Sequence, residues 1–235
     1  IDAFACGLLV AGFESWAMNQ RAAALCEKSL TWCIPLGRIL YNERECFPRS
    51  TRGELILQIT YEAAWANFTS VACQIETVEL PEAAPEQFLR MTTLSRTITA
   101  LGEHDIELPI GNKISELVLY GAVIPCDAVD DATINYVQIL VDNVRRFYSH
   151  TNIETLHNMA GRMRAAPGYF GDHVHWSEAL TSLTDPVLPM DHILSNYVHV
   201  PFDIFRDGRY ALETAGKADV IVRVHSSLDA AVLCG

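Results

Sequence analysis

Apolar positions recur along this chain with two different periods, and the predicted elements follow from where each period holds. Residues 3–33 place Phe4, Leu8, Ala11 and Ser15 on one helical stripe within a stretch rich in Ala, Leu and Met, which predicts a helix stopped by Pro35 and Gly37. Leu55, Leu57 and Ile59 then alternate with Ile56, Gln58 and Thr60, and Val71 to Glu79 repeats the period of two, which predicts two strands. Helical spacing returns after Pro85, with Phe88, Met91, Ser95, Ile98 and Leu101 on one face and Gly102 at the exit. The polar stretches 42–53 and 102–113 read as loops, and Ile114 to Ile124 as a strand ended by Pro125.

Two further helices are predicted in the middle of the chain. The first opens at Asp130 and Asp131, aligns Ile134, Val137, Val141, Val144 and Tyr148, and carries Arg145 and Arg146 near its end, where they complement the helix dipole. The second opens on the capping box Thr151-Asn152-Ile153-Glu154 and turns Leu156, Met159 and Met163 inward. Beyond them Val198, Val200, Phe202 and Ile204 alternate with His199, Pro201, Asp203 and Phe205. Asp207-Gly208 supplies a hairpin turn, with return strands at Tyr210 to Glu213, Val220 to Val224 and Ala230 to Leu233. The expected fold is α+β, a single domain over 1–235. N-terminal and central helices would pack on a mixed or antiparallel sheet with a C-terminal β meander.

Charge narrows the partners. The net charge is −12, and lysine occurs only at Lys28, Lys113 and Lys217. Such a surface repels phosphate backbones and anionic lipid, so neither nucleic acid nor a membrane face is an expected partner. The longest apolar runs, Phe4 to Phe13 and Leu117 to Cys126, reach about half of the ~20 residues that span a bilayer. Seven cysteines without a C-x-x-C spacing read as reduced thiols of a cytoplasmic protein and exclude a zinc ribbon. With no phosphate-cradling glycine loop, no nucleotide cofactor is expected.

Candidate chemistry concentrates between Gly168 and Tyr210, which hold His173, His175, His192 and His199 of the chain's eight histidines. In extended backbone His173 and His175 would project from one face with Cα atoms roughly 6.5–7 Å apart, as two ligands of one metal require. Glu178 or His192 would complete a site for a divalent metal, Zn or Fe, with His199 or Asp203 as a base. That pattern describes a metal-dependent enzyme acting on a small molecule, its type (hydrolase, lyase or oxygenase) left open. The alternative is a non-catalytic ligand-binding or oligomeric interaction protein, with a homo-oligomer as one form of it, whose histidines are structural. Asp127, Asp130 and Asp131 read as helix-capping acids, and Glu103, His104, Asp105 and Glu107 as a solvated loop.

Overall fold

Val220, Val222, Val224 and Ser226 are buried while Ile221, Arg223 and His225 between them are only half-buried, the period of two expected of a strand with one face in the core. In the computed structural model, which describes residues 9–10, 17–18, 29–30, 33–49, 56–59, 73–98, 100–121, 133–163 and 196–227, this strand is central to a four-stranded antiparallel sheet. In chain order the elements are β1 (Ala17–Met18), β2 (Ser29–Leu30), β3 (Gly102–Glu107), β4 (Lys113–Ile114) and β5 (Glu116–Tyr120). They continue as β6 (Tyr136–Val141), β7 (Val144–Asn152), α1 (Ile153–Met163), β8 (Tyr197–Pro201), β9 (Leu212–Glu213) and β10 (Val220–Ser226). The large sheet runs β3-β10-β6-β7, and β1-β2, β4-β9 and β5-β8 form two-stranded antiparallel pairs.

By contact the chain divides into two compact units, Ile1–Pro35 with Thr92–Gly235, and Leu36–Met91. The core of the first unit joins Val137, Ile139 and Val141 of β6, Val220, Val222 and Val224 of β10, Val198 and Val200 of β8, and Ile153 and Leu156 of α1. Each such side chain removed from water contributes about 1.5–3 kcal/mol. Tyr148 ties β7 to β8 by donating its hydroxyl to Pro201 O at 2.6 Å. The second unit is organised by a buried ion pair. Arg38 donates from Nε to Glu45 Oε1 and from Nη2 to Oε2, each at 2.8 Å, and its backbone N–H adds a bond to Oε1 at 3.0 Å. Nearby, Phe47 and Phe88 meet edge to face with centroids 5.2 Å apart.

The architecture is sheet-dominated, which overturns the α+β expectation: among the described residues helix is confined to α1 and Leu9–Val10. The predicted helix after Asp131 is instead the β6–β7 hairpin. Asp142 and Asn143 both take positive φ, 51° and 59°, which makes the two-residue turn whose twist matches that of paired strands. The β-branched and aromatic content of Tyr136 to Tyr148 favours a pleated surface over a helical stripe. A helix through 3–33 is incompatible with the antiparallel pairing of Ala17 with Leu30 and Met18 with Ser29, where pairing outweighs the mild helix preference of Ala and Met. Nor is there a helix over 85–98, where Thr92, Thr93, Thr97 and Ile98 lower helix propensity and Phe88, Met91 and Leu94 stand exposed. Residues 56–59 and 73–80 lie in no strand, and 102–107, read as loop, is β3.

At the C-terminal end β8 and β10 stand where strands were predicted, but the meander does not form. β8 pairs with β5, and β9 pairs with β4 rather than returning along β8. The intervening turn has positive φ at Arg206 and Gly208 instead of at two successive residues, so it does not close a two-residue hairpin. The helix predicted from the capping box is α1, beginning at Ile153. Strand 230–233 lies outside the described residues.

Candidate functional site

The β5–β8 ladder sorts its side chains by alternation. Leu117, Leu119, Val198 and Val200 turn toward the hydrophobic core, which leaves Glu116, Val118 and Tyr120 with Tyr197, His199 and Pro201 on the opposite face. Val118 is the direct partner of His199, so Glu116, two residues back, is its diagonal neighbour. His199 Nε2 lies 2.8 Å from Glu116 Oε2, and the two side chains are 0% and 2% exposed. The opposite ring nitrogen, Nδ1, is buried and has no hydrogen-bond partner among the described residues. The result is a buried imidazole oriented by a carboxyl group.

Asp203 is anchored at the same end of β5. Phe202 and Asp203 donate their backbone N–H groups to Ser115 O, each at 3.0 Å. The Asp203 carboxylate, wholly buried, accepts from Gly208 N–H at 2.7 Å through Oδ2 and so holds the 203–208 turn. The structure therefore brings His199 and Asp203 to adjacent anchors, Glu116 and Ser115. His173, His175, Glu178 and His192 lie outside the described residues.

The remaining described histidines make structural contacts. His157, buried on α1, places Nε2 2.8 Å from Tyr197 O. His104 Nε2 lies 2.9 Å from Ala100 O. His225 stacks on Tyr136 at a centroid distance of 4.5 Å and 11° between planes, and His150 packs against the same ring at 3.9 Å. Among the described residues no group of three or more His, Cys, Asp or Glu side chains could hold a metal ion.

A second polar cluster lies at the β3 edge of the large sheet. Arg223 on β10 grips Asp105 through Nε at 2.7 Å and Nη2 at 2.9 Å, and reaches Glu103 through Nη1 at 3.1 Å. The guanidinium holds the Asp105 carboxyl below its usual range, and the same bonds raise the Arg223 pKa. Partial burial and the nearby Glu103 carboxylate raise the Tyr136 phenol.

Glu116 and Arg223 were not singled out from sequence. The available signal was a lone charge inside an apolar β run (Ile114 to Tyr120 for Glu116, Val220 to Val224 for Arg223), since a charge there needs a partner. No family model matches the chain, and no similar curated protein or solved structure was found.

Proposed function

We propose that this chain is a non-catalytic interaction protein that works as an assembly of copies. The observation that carries the reading is the run of apolar side chains left exposed in Leu36–Met91. Ile39, Leu40 and Tyr41 stand exposed in succession, as do Ile56 and Leu57, with Ile56 at 78% and Tyr41 at 64%. Consecutive exposed apolar residues are selected against unless a partner covers them. The described histidines, engaged with backbone carbonyls, a carboxylate or a stacked ring, fit the same reading. Light-scattering mass across a range of protein concentration tests it, with Tyr41→Ser and Ile56→Ser as variants. The mass rises with concentration in the parent chain and less steeply in the variants. A constant monomer mass in the parent chain overturns it.

A second reading rests on His199. A buried imidazole oriented by Glu116, its Nδ1 without a hydrogen-bond partner among the described residues, is the arrangement of a positioned base, which supports a metal-dependent enzyme acting on a small molecule. There, His173 and His175, with Glu178 or His192, would hold Zn or Fe, and Asp203 would be the other candidate base. Metal analysis of the purified protein, with His175→Ala as control, tests it. Stoichiometric metal lost in the variant supports the enzyme, as does a melting temperature lowered by EDTA. Sub-stoichiometric metal with no uptake on titration removes it.

A further inference from the structure

We infer that the two free edges of the four-stranded sheet, β7 and β3, are complementary docking surfaces, so that β7 of one copy adds to β3 of a second copy of this chain. The inference rests on the self-association reading and adds to it a polar contact outside Leu36–Met91.

The backbone supplies the first half of the argument. β3 and β7 end the strand order β3-β10-β6-β7, so among the described residues each has one side without a strand partner in its sheet. Leu108 N–H donates to Val220 O at 2.8 Å, and in an antiparallel ladder bonded positions alternate, so the N–H and C=O groups of Glu103, Asp105 and Glu107 point away from β10. On β7 the bond from Ile153 N–H to Asn135 O sets the same alternation over the regular pairs Tyr136–Asn152 and Val137–Thr151, which turns the backbone of Asn152 outward. β7 is mostly exposed, and register shifts between Val137 and Ile139 and between Ile139 and Leu140 divide it, so it offers another strand short exposed segments rather than one nine-residue edge.

Charge supplies the second half. β7 carries Arg145, Arg146 and His150 and no acid, whereas β3 carries Glu103, Asp105 and Glu107 and neither lysine nor arginine. Arg145 and Arg146 are exposed and have no carboxylate partner among the described residues, and Glu107 is exposed with no cationic one. At the β3 edge Arg223 offsets only part of the three carboxylates. In a chain of net charge −12, a basic strand edge is the exception, and the sheet's own far edge is its complement. This favours a second copy over an unrelated acidic peptide.

The strands of the sheet alternate in direction, so antiparallel addition of β3 from the next copy keeps every copy in one orientation. Such a contact is heterologous and propagates instead of closing as a dimer. Four strands at about 4.8 Å would set copies roughly 19 Å apart along the sheet.

Sedimentation velocity with charge-swapped chains tests the pairing. The parent chain should form species beyond a dimer, decreasing as salt is raised. The double variant Arg145→Glu/Arg146→Glu and the variant Glu107→Lys should each self-associate roughly tenfold or more weakly, because like charges then face each other. Mixing the two variants should restore assembly, since each supplies the edge that the other lacks. All three substitutions are at exposed positions, and circular dichroism checks that the sheet persists. If the double arginine variant is unfolded, Glu107→Lys alone decides. Variants that assemble like the parent chain overturn the edge pairing and leave self-association standing. A parent chain that remains monomeric overturns both.

Discussion

His199 and Glu116 face each other across the β5–β8 ladder at 2.8 Å, and neither side chain reaches solvent. Breaking such a pair leaves one buried polar group without its partner, at a cost of about 1–3 kcal/mol. Glu116→Ala should therefore shift the urea unfolding midpoint more than Glu116→Leu combined with His199→Leu, in which no polar group of the pair stays behind. Equal losses in the two proteins would contradict the burial of this pair.

Arg38 and Glu45 make the same argument in the unit 36–91, with an acid dependence attached. Burial pushes the Glu45 carboxyl up, but the hydrogen bonds and charge of Arg38 outweigh it, so the folded-state pKa lies below the ordinary value. A lowered folded pKa adds stability above the unfolded pKa of about 4.3, and that stability is lost as the pH falls through the folded value. Urea unfolding at decreasing pH should show a loss below about pH 4 that is absent in Glu45→Gln. Asp105, held low by Arg223, has the same sign.

Asn143 holds φ at 59° and binds Asp219 with its backbone N–H and its side-chain amide, at 3.1 Å and 3.0 Å. Asn143→Val should cost about 1–3 kcal/mol, because a β-branched residue is strained in left-handed backbone. Asn143→Gly removes the strain and keeps the backbone bond, so it should cost less. Thermal unfolding of the two variants checks the order.

Tyr148 donates to Pro201 O at 2.6 Å, and burial pushes its phenol pKa up to about 12. Tyr148→Phe should destabilise by about 0.5–1.5 kcal/mol. In an ultraviolet titration it should remove a phenol that ionises above the ordinary range near 10. A variant that loses a phenol ionising near 10 instead would place Tyr148 in solvent.

How far the fold was legible depended on whether local pattern and long-range pairing agreed. Val220 to Val224 and Val198 to Pro201 alternate cleanly and are strands, and the stretch from Ile153 that follows Thr151 and Asn152 is helical. Where they disagreed, the helical stripe misled: Val137, Val141 and Val144 satisfy that spacing, yet Val137, Ile139 and Val141 also alternate, and the Asp142-Asn143 turn decides between them. The partners of β8 and β9 were not readable, because β4 and β5 lie some eighty to a hundred residues away in sequence. At the candidate site His199 and Asp203 were visible as polar residues in a β run, whereas Glu116 becomes meaningful only once β5 and β8 are in register.

Self-association of the unmodified chain is the central claim, and sedimentation equilibrium over a wide range of concentration tests it most directly. The account predicts an average mass that climbs with concentration, and the edge pairing adds that it passes that of two chains and falls again at high salt. A single mass of 26.1 kDa at every concentration and salt would contradict it.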